Sequence, residues 1–188
     1  MGFAIAEQLA LAGAKVELVA GPVNLNISNP AIHRTNVDTA YEMYKACLSI
    51  FPNCDGAVLS AAVADYRTKD VSSLKIKKTD NEGENLSLEL VKNKDILAAL
   101  GNIKTKNQLL VGFSLETHNE FEYAGEKLKK KNLDLIVMNS LKNQGAGFSV
   151  DTNMISILTS GGERIDYPKK MKNEVAKDIV DFIITRYF

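Results

Sequence analysis

Four short stretches of the 188-residue sequence combine residue types that suit a phosphorylated, ring-bearing ligand. The first is Ala61-Ala62-Val63-Ala64-Asp65-Tyr66-Arg67, preceded by Ser60 at the end of an apolar run. Small side chains there let a flat ring or a phosphate approach the backbone, and Asp65 is placed to accept hydrogen bonds from a ribose. The competing reading is a surface loop with an incidental charge. The second is Lys75-Ile76-Lys77-Lys78, within a long polar stretch. Compact ammonium groups suit phosphate and developing negative charge, and the stretch has the polarity of a closing lid; a solvated basic turn would need no ligand. The third is Lys127-Leu128-Lys129-Lys130-Lys131. Lys127 and Lys131 stand one helical turn apart, a like-charge pair that costs ~0.2 to 0.5 kcal/mol and that a triphosphate would offset. Lysines in a last helical turn also complement the helix dipole without any ligand. The fourth is Asn93-Lys94-Asp95-Ile96, where a polar turn meets a helix start, equally readable as a simple N-cap by Asn93. Gly145-Ala146-Gly147-Phe148 carries least, since glycines in a loop usually mean a turn.

Other chemistries are poorly served. Cys47 falls on an apolar helix face and Cys54 directly precedes a strand, so both read as buried free thiols rather than nucleophiles. Two cysteines are too few for a disulfide framework or a Cys-rich zinc site, and His33 and His118 lie in polar stretches with no second ligand near. No protein-held metal is expected.

Bulk composition narrows the class. Lys plus Arg and Asp plus Glu balance at 23 each, which excludes a chain-wide nucleic-acid or membrane-surface binder and leaves anion binding to local patches. With 45% hydrophobic and 24% charged residues the chain can bury a core, and its length suits one domain, residues 1–188. No apolar run approaches a membrane span, so a cytoplasmic protein is the expectation.

The elements that must position these residues follow from periodicity. Residues 1–12 read as an apolar helix ended at Gly13, and 15–20 alternate like a strand stopped by Gly21-Pro22. A strand near 31–35 precedes a helix capped by Asp38, with Ala40, Met43, Tyr44 and Cys47 facing inward. Residues 55–62 are nearly all apolar, as in a strand buried on both faces. A polar excursion over 65–85 leads to a strand at 86–91, a short helix at 95–100, a buried strand at 108–113, a helix at 120–131 and a strand at 133–138. Ser160-Gly161-Gly162 marks a hairpin between 154–159 and 163–167, and Val175, Ile179, Phe182 and Ile183 give 170–187 a helical period.

Strands alternating with helices predict an α/β, Rossmann-like doubly wound and mostly parallel sheet, closed by a β-hairpin and a final helix. Ligands of such sheets sit at strand carboxyl ends, here Ser60-Ala61-Ala62, Phe113 and Asn139. The order begins with a helix where this fold begins with a central strand. The expectation is therefore a gap in mid-sheet, with the strand lying upstream in a longer natural protein or supplied some other way.

Taken together, AAVADYR, the KIKK loop, LVKNKDIL, VGFSLET, the lysine helix followed by NLDLIVMNS, and GAGFSVDTN resemble, in order and spacing, the phosphopantothenoylcysteine synthetase family. The resemblance covers essentially the whole chain. It implies that 4′-phosphopantothenate attacks the α-phosphate of a nucleoside triphosphate, CTP in most bacteria, accompanied by Mg²⁺. Cysteine then displaces CMP from the acyl-cytidylate. It implies nucleotide contacts by Ser60, Ala61 and Asp65, a frame for base and sugar from Asn93, Asp95, Ile96 and Phe113, and phosphate contacts by Lys127 and Lys131. Lys75 would be catalytic, on a flap that closes over the acyl-cytidylate. It further implies a homodimer with Ala61-Ala62 near the subunit contact, a fused or separate flavin-dependent decarboxylase, and no tightly bound cofactor in this domain.

Family members carry a loop of the type Ser-Asn-x-Ser-Ser-Gly-Lys just before Met1-Gly2-Phe3-Ala4-Ile5-Ala6, absent here. Impaired catalysis with part of the nucleotide site retained is the expectation for this chain. A non-catalytic nucleotide-binding remnant, or a partner subunit of a full-length synthetase, is the alternative. A nicotinamide dehydrogenase is disfavoured because no Gly-x-Gly-x-x-Gly follows a first strand and the second strand ends in Ala20-Gly21-Pro22.

Overall fold

The computed structural model describes residues 1–72, 74–76, 86–116, 120–140 and 151–188, with the side chains at 116, 120 and 140 set aside. In chain order the elements are α1 (Gly2–Leu11), β1 (Val16–Ala20), β2 (Ile32–Asn36), α2 (Ala40–Ile50), a single 3-10 turn, β3 (Gly56–Leu59), β4 (Tyr66–Thr68), β5 (Leu90–Lys92), α3 (Ile96–Ile103), β6 (Leu109–Glu116), α4 (Glu120–Lys130), β7 (Leu135–Ser140), β8 (Thr152–Asn153), β9 (Ile155–Thr159), β10 (Arg164–Asp166), β11 (Lys170–Met171) and α5 (Lys172–Tyr187).

The central sheet runs β10-β9-β7-β6-β3. β3, β6 and β7 pair in parallel, and β9 and β10 are added antiparallel at one edge. β6 over 109–113 and β7 over 135–138 carry no polar side chain because both faces are covered there, and the two-residue period sorts their side chains. Leu109, Val111, Leu135 and Val137 join Ile155, Ile157 and the α5 residues Val175, Ile179 and Ile183 on one side. Leu110, Ile136 and Met138 meet Leu97 and Leu100 of α3 and Ala124 and Leu128 of α4 on the other. Burying each such Leu, Ile or Val contributes roughly 1.5–3 kcal/mol.

β1 and β2 form their own parallel pair, in register from Val16 with Ile32 to Ala20 with Asn36. No ladder joins β1 to β3 among the described residues, so the sheet is interrupted where the element order predicts a gap.

Two caps differ from the sequence reading. Thr39, not Asp38, caps α2: its Oγ1 accepts the Glu42 N–H at 3.1 Å while Glu42 Oε2 accepts the Thr39 N–H at 3.0 Å. The Thr-x-x-Glu spacing makes this reciprocal box, which a single Asp cannot match. Asp95, not Asn93, caps α3, accepting the Ala98 N–H at 3.0 Å. Three short strands escaped the sequence reading: β4 within the polar excursion, and the β8–β11 ribbon.

Candidate nucleotide site

The site is assembled where β3, β6 and β7 end. Ser60 follows the last residue of β3, and α1 begins against it: a Cβ on Gly2 would stand 2.8 Å from Ser60 Oγ, so a larger residue there would displace the serine hydroxyl. Ala61, Ala62, Ala64 and Asp65 are exposed in the loop that leads into β4.

This loop is fastened to the turn before α3. β4 and β5 form a short antiparallel ladder pairing Tyr66 with Lys92 and Thr68 with Leu90. At its end Asn93 donates its N–H to Asp65 O at 2.8 Å and its Nδ2 to Ala64 O at 2.8 Å. Arg67 Nη1 donates to Lys92 O at 2.9 Å and to Asn93 Oδ1 at 3.2 Å. Both ends of the Asn93 amide are thus committed to holding the two segments together. Arg67, read from sequence only as part of a motif, closes the clamp.

The lysines come in from α4. Lys127 Nζ donates to Phe113 O at 2.8 Å, fixing that cation to the carboxyl end of β6. α4 ends at Lys130, and the chain leaves it through a left-handed turn at Asn132 (φ 52°), with the Leu133 N–H donated to Leu128 O at 2.9 Å. Lys131 sits in that turn and pairs with Asp95 at 2.8 Å. Burial pushes the Asp95 carboxyl up, but hydrogen bonds from Lys131 and the Ala98 N–H, with the charges of Lys131 and Lys127, leave it below its ordinary value. A phosphate arriving at Lys131 therefore competes with a carboxylate already seated there.

The remaining sequence candidates are placed as follows. Ile96 opens α3 with its side chain in the core at 6% exposure, so what it offers a ligand is backbone. Phe113 is half-buried against the α1/α5 side of the sheet. Lys75 is exposed between β4 and β5, apart from any hydrogen bond or ion pair to the other candidates among the described residues. Lys77, Lys78, His118 and the Gly145–Gly147 stretch lie outside the described residues. Burial raises the thiol pKa of both Cys47 and Cys54, aided for Cys54 by Glu17 and Asp55, which removes thiolate character. Among the described residues no three metal-ligating side chains converge and no helix is long and apolar enough to cross a membrane.

A separate cleft of about 340 Å³ opens beside the carboxyl ends of β1 and β2, lined by Gly21, Pro22, Asn24, Arg34, Asn36 and Asp38 among others. Its Arg34 guanidinium lies over the Phe3 ring at 5.1 Å, which places the cleft beside the first turn of α1.

Comparison with known proteins bears on the family and the fold. The chain is 46% identical over 185 residues to a cysteine/cysteine sulfinic acid decarboxylase of an unknown prokaryotic organism, covering 98% of this chain and 51% of that protein. It is 42% identical over 187 residues to the coenzyme A biosynthesis bifunctional protein CoaBC of Haemophilus influenzae, covering 100% of this chain and 45% of that protein. The chain thus spans about half the length of the curated relatives it matches. The crystal structure of the C-terminal domain of a coenzyme A biosynthesis bifunctional protein CoaBC superposes with a TM-score of 0.80 at 36% identity, covering 98% of this chain and 80% of that one. The DFP family, described as the DNA/pantothenate metabolism flavoprotein C-terminal domain, matches residues 1–187. On that match and those identities, the chain belongs to the family of DNA/pantothenate metabolism flavoprotein C-terminal domains.

Proposed function

We propose that residues 1–188 form a phosphopantothenate–cysteine ligase domain of coenzyme A biosynthesis, working through an acyl-cytidylate. The supporting observation is one run of contacts joining the Asp65 loop to the Asn93–Asp95 turn, that turn to Lys131, Lys131 through the backbone to Lys127, and Lys127 to Phe113, by hydrogen bonds and an ion pair. The bifunctional CoaBC relatives carry coenzyme A biosynthesis in their names, which supports the same pathway here.

A carboxylate is a poor electrophile, and its attack on the α-phosphate of CTP, with pyrophosphate leaving, converts it to a mixed anhydride. The cysteine amine then attacks the acyl carbon and CMP departs. Such a reaction asks the protein mainly to position groups and stabilise charge. Asp65 would accept from the ribose, Phe113 would bound the base, and Lys127 and Lys131 would meet the phosphates. Lys75, exposed and unpaired with any described carboxylate, is the proposed catalytic cation that reaches the acyl-cytidylate when its segment closes. Mg²⁺ belongs to the nucleotide substrate, held by phosphate oxygens and water. A homodimer, a fused or separate flavin-dependent decarboxylase and a cytoplasmic location complete the reading.

Pyrophosphate release tests it directly, with 4′-phosphopantothenate, cysteine and Mg²⁺ supplied and CTP compared with ATP. Release that requires phosphopantothenate and favours CTP is expected. Thermal stabilisation by CTP without release would support the non-catalytic nucleotide-binding reading instead. Neither release nor stabilisation would overturn both.

A further inference from the structure

Asn153 is a polar residue sealed inside the protein, 3% exposed in β8. A buried amide is costly unless it is paired, and both ends of this one are. Its Oδ1 accepts the Met154 N–H at 3.0 Å, and its Nδ2 donates to Asn139 Oδ1 at 3.1 Å. A backbone N–H can only donate, so the oxygen of Asn153 must face Met154 and its nitrogen must face Asn139. The same logic passes one residue further: with its oxygen engaged by Asn153, Asn139 is left with its Nδ2 as the outward donor. No buried side-chain nitrogen or oxygen among the described residues lacks a partner. The Asn139 Nδ2, which no described residue accepts, therefore reaches solvent.

The position of this donor is set by register. Phe113 pairs with Val137 and Leu115 with Asn139, so Asn139 lies one step beyond Val137 on the same face of the sheet. Val137 and Phe113 both pack toward the α1/α5 side, and Lys127 holds the Phe113 carbonyl. A fixed amide donor thus stands on the strand next to Phe113, two residues nearer the carboxyl edge than Val137. An α/β sheet of this kind binds its ligand along that edge.

We propose that Asn153 is a positioning residue whose hydrogen bond orients the Asn139 amide, so that Asn139 Nδ2 donates to an acceptor atom of the nucleotide bound beside Phe113. This rests on the nucleotide-binding reading above. Asn153 does not touch the ligand; it decides which end of the Asn139 amide does.

The test is the calorimetric Kd for CTP with Mg²⁺, measured on the wild-type protein, Asn153→Asp, Asn139→Ala and the double variant. The aspartate of Asn153→Asp still accepts the Met154 N–H but has no donor, and it draws the Asn139 nitrogen inward, presenting an oxygen at the edge. Each single variant is expected to raise the Kd at least tenfold. The double variant is expected to be no weaker than the weaker single, because both changes remove one contact. In the wild type, the Asn139 side-chain NH₂ resonances should shift on adding CTP. An unchanged Kd in a folded Asn153→Asp, or a double variant whose loss is the product of the two singles, overturns the proposal. If Asn153→Asp fails to fold, Asn139→Ala decides: a tenfold loss supports the contact and an unchanged Kd overturns it. A wild-type protein that does not bind CTP overturns the nucleotide reading together with this one.

Discussion

Gly101 of α3 and Lys131 at the end of α4 approach so closely that a Cβ on Gly101 would overlap the Lys131 carbonyl oxygen. The neighbouring Asn132 secures the contact, donating its Nδ2 to Gly101 O at 2.8 Å. The two helices are thereby locked at the point that sets Lys131 against Asp95.

Gly101→Ala is accordingly expected to force the helices apart and to cost about 3 kcal/mol of stability, the upper end for overpacking a tight interior. Urea denaturation would measure it. CTP affinity should fall with it, because Lys131 moves. A near-neutral denaturation curve would mean that the turn at Lys131 yields easily and does not hold the lysine in place.

Asp95 gives the site a pH signature. Its folded-state carboxyl lies below the ordinary value, so its contribution to stability is complete above the usual aspartate range and is lost as pH falls below about 4. Asp95→Asn keeps an N-cap but ends the ion pair with Lys131, and should flatten the acid limb of a plot of Tm against pH. At neutral pH the same change frees Lys131 and should leave CTP binding equal or tighter. Weaker binding would show that Asp95 itself contacts the ligand.

Arg67 is expected to act by fastening rather than by contact. Arg67→Lys keeps the charge but not the forked reach to Lys92 O and Asn93 Oδ1. The KM for CTP should rise several-fold, with little change in Tm because the side chain is exposed. Full rescue by lysine would mean that charge alone matters there.

At the opposite, amino-terminal end of the same strands, Lys104 and Asp134 pair at 2.8 Å with side chains only 9% and 25% exposed, and Asp134 also accepts the Leu110 N–H. Asp134→Ala strands a buried ammonium and should cost about 3–5 kcal/mol, while the folded fraction binds CTP as before. A changed Kd would reveal coupling between the two ends of the sheet.

Much of this was legible in the residues. The apolar runs 109–113 of β6 and 135–138 of β7, the Ser160-Gly161-Gly162 hairpin and, among the described residues, the interruption between β1 and β3 follow from period, turn chemistry and topology, and each appears in the fold. What resisted was set by tertiary partners. Spacing cannot tell whether Asn93 or Asp95 caps α3, because the choice depends on Arg67 and Ala64 consuming the Asn93 amide. Ile96 reads as a site residue by motif, yet helix phase turns its side chain into the core. Asn153 gave no local signal at all, since its partner Asn139 in β7 is 14 positions away from it in β8.

The isolation of β1 and β2 has a consequence for how the molecule comes apart. Among the described residues their parallel pair has no third strand in register, and it leans on α1 and α2 for cover. Two strands alone are marginal in water. Amide hydrogens of Val16–Ala20 and Ile32–Asn36 should therefore exchange through a sub-global opening well below the free energy of complete unfolding, while those of β6 and β7 wait for the whole core to melt. The cleft lined by Gly21, Arg34 and Asp38 would open and close with that lower-stability unit, giving one end of the molecule a breathing rate of its own.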